Sequence, residues 1–225
     1  MKVIIFDAST LITLSMNGLL PEFRELKKNF DGHFIIPKEV KHEIIEKPLK
    51  IKRFELEAMR AEQLLKDGVL EMPSVLGIKD SEISKKTKQI FDMANTTFIG
   101  KKSPIHLIDS GECGALALSE ILNKKKIPNL IAVDERTTRS LIEDPEDMRK
   151  FLEKKLHTKI VPKKANYPFF KQFKIIRSAE LIYIANKKGL VRLKHKDVLD
   201  ALLYALKFKG CSISHEEIRE IKRLK

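Results

Sequence analysis

Cysteine is nearly absent from this 225-residue chain: Cys113 and Cys211 are the two, far apart and without a CxxC partner. A zinc site built on thiolates is therefore not expected. In a reducing compartment both residues are expected as free thiols, and any bound metal is expected to have mainly oxygen ligands. No run approaches the ~18 apolar residues of a membrane span. The opening MKVIIFD is too briefly apolar, and too soon acidic, for a secretory signal, so the expected location is the cytoplasm, with no membrane partner. Common catalytic and nucleotide signatures are missing too. No GxSxG, HExxH, GxxxxGK(S/T) or GxGxxG occurs, and the six histidines are scattered. Position 9 is serine, so the second aspartate of the haloacid-dehalogenase motif is lacking after Asp7.

What the chain does have is positive charge: 44 Lys and Arg against 31 Asp and Glu, a net charge of +13. Charge of that sign favours a polyanionic partner, and nucleic acid leads because no obvious amphipathic membrane helix accompanies it. The competing explanation is a lysine-rich surface that only keeps the protein dissolved.

Hydrophobic patterning gives the architecture. Short apolar runs, KVIIF (2–6), HFIIP (33–37), IPNLIAV (127–133) and TKIVP (158–162), read as buried strands, and VLEMP (69–73) as a further candidate. Amphipathic helical stretches alternate with them. That order predicts an α/β fold, three layers α/β/α around a central, mainly parallel sheet. Residues 1–162 are expected to form this domain, with a longer, charged, helical region over about 49–103. Residues 163–225 show three helical stretches and no strand pattern, which predicts a helical C-terminal appendage.

Carboxylates stand at the ends of the strands. Asp7 follows KVIIF, Glu43 follows HFIIP by one helical turn, Asp109 and Glu112 open a helix, and Asp134 follows LIAV. Sites in open parallel sheets form outside the carboxyl ends of the strands, so these groups are expected on one edge. Each acid has a local explanation: Asp7 and Asp134 as helix caps, Asp109 with Glu112 as a capping box, Glu43 on a solvated face. Glu112, however, falls three and four positions before Ala115 and Leu116, on the buried face, with no Lys or Arg within a turn. Gly111 and Gly114 cost the helix about 1 kcal/mol each relative to alanine, and would let another group approach its start. Gathered carboxylates repel and raise one another's pKa unless a cation neutralises them. Mg²⁺ or Mn²⁺ suits an oxygen-only site and can activate water and polarise a phosphodiester.

The ordered set IIFDASTLITL, IIPKEVKHEI, DSGECGALALS and LIAVDERTTR resembles the PIN-domain nucleases, over residues 1 to about 162. DSGE…ALAL…VDER and the C-terminal helical stretch look closest to the VapC toxin-ribonuclease branch. The resemblance implies a divalent-metal-dependent endoribonuclease acting on RNA, with Asp7, Glu43, Glu112 and Asp134 as the metal-binding acids. It further implies a frequent homodimer and, for toxin members, a small antitoxin partner. The third-site acid here is glutamate rather than the commoner aspartate, which makes Asp109 a fifth expected contributor. The chain is also longer than compact toxins. Ser9 or Thr10 is expected to orient a carboxylate or water, and Arg136 and Arg139 to meet RNA phosphate. The alternative function is a non-catalytic RNA-binding or ribosome-associated protein that keeps the fold. A cluster of acids gives such a binder nothing.

Overall fold

Every residue of the first strand is buried, because both faces of that strand are covered. The computed structural model describes residues 1–101 and 103–224; Lys102 and Lys225, in the charged region and the tail, lie outside them. In chain order the elements are β1 (Val3–Phe6), α1 (Ala8–Met16), α2 (Leu20–Lys28), β2 (His33–Ile35), α3 (Lys38–Lys41, running into a π-helical turn at His42–Glu46), α4 (Glu55–Lys66) and α5 (Asp80–Asn95). These are followed by β3 (Phe98–Gly100), β4 (Ser103–Pro104), α6 (Ser110–Lys124), β5 (Asn129–Ala132), α7 (Arg136–Glu143), α8 (Pro145–Leu156) and β6 (Ile160–Pro162). The C-terminal part holds α9 (Tyr167–Lys171), β7 (Ile175–Ile176), α10 (Ser178–Lys187), α11 (Val198–Phe208) and α12 (His215–Arg223).

The central sheet has the order β2-β1-β5-β7 and is parallel throughout, so the carboxyl ends of its strands share one edge. The period of two along β1 divides the interior. Ile4 and Phe6 enter one core with Leu11, Phe23, Phe34, Ile182 and Leu206. Val3 and Ile5 enter the other with Leu116, Ile131, Val133, Leu141 and Phe170. Helices on both faces of a parallel sheet make the three-layer α/β/α arrangement. Phe6, Phe23 and Phe34 meet with ring centroids 4.9–5.2 Å apart, closing the first core beneath α1 and α2.

Two expectations about strands are corrected. Ile160–Pro162 does not join the central sheet: β6 pairs antiparallel with β3, which also pairs with β4, in a separate three-stranded sheet. Its pattern agrees, since Ile160 is buried while Val161 is 55% exposed, as befits a strand wetted on one face. The last strand of the central sheet is instead Ile175–Ile176, paired in parallel with β5 inside the segment expected to lack strands. Two residues are too few to show alternation. The C-terminal helices α10, α11 and α12 share the core of α1 and α2. VLEMP contributes one parallel bridge, Ile35 to Glu71, beside β2.

Candidate active site

Asp7 leaves β1 at the carboxyl edge and caps α1, where the Ser9 backbone N–H and the Ser9 hydroxyl both donate to its Oδ2, at 3.0 and 2.6 Å. Its other oxygen, Oδ1, is buried without a partner. Burial of the carboxylate raises the Asp7 pKa, against the pull of the Ser9 and Ala8 donors, and Glu135 adds repulsion. A capping aspartate would ordinarily be solvated and acidic. This one is 2% exposed, with half its acceptor capacity unused.

Helix α6 brings the second acid. Buried residues run from Cys113 to Leu122 without a break, so its first turn is drawn into the interior with the rest. Glu112 Oε2 accepts from the Asp109 backbone N–H at 2.6 Å, the returning half of a capping box, and Oε1 accepts from the Thr138 hydroxyl at 3.0 Å. Those two donors do not offset what surrounds it. Burial first, then Asp7 and Glu135, push its pKa up to about 8. Asp109, which starts the helix, is exposed and meets His106 at 2.8 Å.

The third acid arrives through the glycines. A Cβ built on Gly111 would stand 2.5 Å from Glu43 Oε2, and one on Gly114 would stand 3.0 Å from Glu39 Oε2. What approaches the start of α6 is therefore α3 and the π-helical turn that continues it. Glu43 is an exposed residue whose carboxylate is raised by partial loss of solvent where it meets α6, then by Asp7 and Asp109, against the opposing charge of Lys47. Asp7 thus acts on acids from two other elements, Glu43 and Glu112, at the same edge.

Asp134 divides its contacts between that edge, where its N–H donates to the Ser9 hydroxyl, and α10. The register of β5 puts Ile131 and Val133 in the core of α6, with Ala132 in the other. By the same period of two, Asp134 falls on the side of α10 and Glu135 on the side of α6. The contacts agree. Asp134 is fully buried; its Oδ1 accepts from the Ser178 N–H at 2.8 Å, its carbonyl accepts from the Ser212 N–H at 3.1 Å, and its Oδ2 is buried without a hydrogen-bond partner. Its charge helps burial push the Cys211 thiol up to about 12. Glu135 is the residue that acts on Asp7 and Glu112, while capping α7 through Thr138 N–H and the Thr137 hydroxyl at 2.9 Å each. The sequence reading missed Glu135. Alternation past Val133 was the signal that could have found it.

Ser9 links the two strand ends: its hydroxyl donates to Asp7 and accepts from the Asp134 N–H at 3.0 Å. Thr10 is buried with its hydroxyl unpartnered. Arg136 is exposed and lies over the Phe151 ring at 4.4 Å. Arg139 is 8% exposed and held within the fold by the Ser212 carbonyl, Glu143 and Glu217, so it braces the C-terminal segment. Both cysteines are free and buried.

The donor set is made of carboxylate oxygens, and Asp7 Oδ1 and Asp134 Oδ2 are buried acceptors without a hydrogen bond, which suits a hard divalent cation. Among the described residues no group of three or more His, Cys, Asp or Glu side chains is already arranged to hold a metal ion. Among them, too, no helix is long and apolar enough to cross a membrane. No family model, no curated protein and no solved structure matches the chain.

Proposed function

We propose that this protein is a divalent-metal-dependent endoribonuclease that hydrolyses phosphodiester bonds of single-stranded RNA in the cytoplasm. The observation that carries the reading is the set of Asp7, Glu43 and Glu112 at the carboxyl edge of a parallel sheet: buried Asp7 and half-buried Glu112 are held above their ordinary pKa by loss of solvent, and Asp7 also raises Glu112 and the exposed Glu43. Such repulsion weakens a fold that has no cation to bind, and a net charge of +13 on the same chain favours a polyanion.

Asp7, Glu43 and Glu112 would hold Mg²⁺ or Mn²⁺, with Glu135 beside them and exposed Asp109 at the rim. Bound there, the ion supplies Lewis acidity and lowers the pKa of water. The chain's own groups do the positioning. Ser9 holds one oxygen of Asp7 and leaves the other open. Thr138 and the Asp109 amide fix the two oxygens of Glu112. Arg136, exposed one residue after Glu135, would meet a phosphate. Asp134 keeps the role its contacts give it, holding the start of α10. The resemblance to PIN nucleases also implies a homodimer and an antitoxin partner; the proposal rests on neither.

The test is cleavage of an end-labelled unstructured RNA with Mn²⁺, with Mg²⁺ and with EDTA, by the wild type and by Asp7→Asn. Metal-dependent fragments that vanish with Asp7→Asn support the reading. Equal fragments from both proteins, or none from the wild type, overturn it.

A further inference from the structure

Four of the large apolar side chains that the fold leaves exposed lie in one groove: Ile12 (44%) and Met16 (57%) on α1, Ile51 (39%), and Phe54 (44%) just before α4. The groove has a volume of about 490 Å³ and Glu43 forms part of its wall. That volume is within the range of small-ligand sites, which are mainly apolar with a few placed polar groups. The groove is continuous with the acid edge in two ways: through Glu43, and through α1, whose first turn is capped by Asp7 and whose outer face supplies Ile12 and Met16.

Its charged lining is mixed but ordered. Lys47, which already acts on Glu43, and Arg53 supply positive charge. The Arg53 guanidinium lies 5.3 Å from the centroid of the Phe54 ring, a flat cation backing an exposed aromatic face. Glu57 also lines the groove, and its nearest cation is Arg60, at 4.0 Å. An aromatic face with an adjacent guanidinium, set in an apolar slot beside cations, is how proteins hold an unpaired base while tracking its phosphates.

We infer that this groove is a nucleobase subsite: an unpaired base of the RNA stacks on Phe54 among Ile12, Met16 and Ile51, and its phosphate is thereby delivered to the edge at Glu43. The inference rests on the nuclease reading for the identity of that phosphate. It adds that the substrate is recognised through a base, so duplex RNA with its bases stacked inside is a poor ligand. A second copy of this chain is disfavoured as occupant, because each copy carries +13.

The test measures binding without cleavage. A short, dye-labelled, unstructured RNA and an abasic ribose-phosphate strand of equal length are titrated in EDTA with wild type, Phe54→Ala and Phe54→Tyr, with anisotropy as readout. Sedimentation velocity runs in parallel, and circular dichroism checks the fold of each variant. Removing one stacking platform should weaken RNA binding by roughly five-fold or more. Phe54→Tyr should restore affinity to within about two-fold, since it keeps the ring face. The abasic strand should bind wild type and Phe54→Ala alike. Equal RNA affinity for wild type and Phe54→Ala overturns the subsite, as does an equal loss on the abasic strand. A wild-type dimer that Phe54→Ala makes monomeric overturns it as well, by assigning the groove to a protein contact. Mn²⁺-dependent cleavage with no Phe54 effect on binding sinks the subsite alone. A Phe54 effect without cleavage sinks the nuclease reading alone.

Discussion

The Glu112→Gln substitution should stabilise the metal-free protein above about pH 6, although it removes a carboxylate with two good hydrogen-bond donors. Its pKa in the fold is pushed up to about 8, against an ordinary value near 4.5. Between those values the native state keeps a proton that the unfolded chain has released. Stability linked to this group is therefore fully present at low pH and is lost as pH rises through the folded pKa. One proton of difference gives a slope of about 1.4 kcal/mol per pH unit, or about 2.7 kcal/mol between about pH 5.5 and about pH 7.5. For a chain of this size 1 kcal/mol moves the melting temperature by about 2–4 °C, so the wild type should lose roughly 5–11 °C across that interval. Glutamine has no such titration, and its amide can still accept from Asp109 and pair with Thr138. The assay is thermal melting in EDTA at several pH values, wild type against Glu112→Gln. The difference between the two curves isolates Glu112 from every group the two proteins share. Saturating Mn²⁺ should flatten the wild-type curve, because a bound cation displaces the proton. Parallel curves in EDTA would refute the claim that burial and the neighbouring acids keep this carboxyl protonated.

Gly111→Ala should leave stability unchanged or raised by up to about 1 kcal/mol through helix propensity, yet weaken Mn²⁺ binding measured by calorimetry, since its Cβ would meet the movable Glu43 carboxylate at 2.5 Å. Ser9→Ala should cost about 2 kcal/mol in urea denaturation at neutral pH, by removing the hydroxyl that serves both Asp7 and the Asp134 amide. Asp134→Ala should cost about 2–3 kcal/mol and speed proteolytic cutting between 177 and 212, without loss of Mn²⁺ binding; Glu135→Gln should do the reverse.

The apolar runs KVIIF, HFIIP and IPNLIAV were enough to place three neighbouring strands of a parallel sheet, because strands buried on both faces are written as unbroken apolar stretches. The same runs located the edge on which Asp7 and Glu43 emerge. Two glycines at the start of a buried helix foretold a close approach, and the structure supplies Glu43 and Glu39 as the groups that come near. What composition could not encode was pairing. Ile175–Ile176 becomes a strand only because β5 offers it a free edge, and TKIVP leaves the central sheet because β3 is there to receive it. Asp134 and Glu135 differ by one residue, and one residue in an extended chain reverses the face. Proximity to LIAV favoured the first, while the parity of Ile131 and Val133 favours the second. Arg139 read as an exposed helix position because its partners, Ser212 and Glu217, are more than seventy residues away in sequence.

The most direct measurement is a calorimetric titration of Mn²⁺ into metal-free protein, with wild type, Asp7→Asn and Asp134→Asn side by side. The account predicts a saturable heat for the wild type that persists in Asp134→Asn and disappears in Asp7→Asn. The same negligible heat in all three, or a wild-type isotherm unchanged by Asp7→Asn, would contradict it.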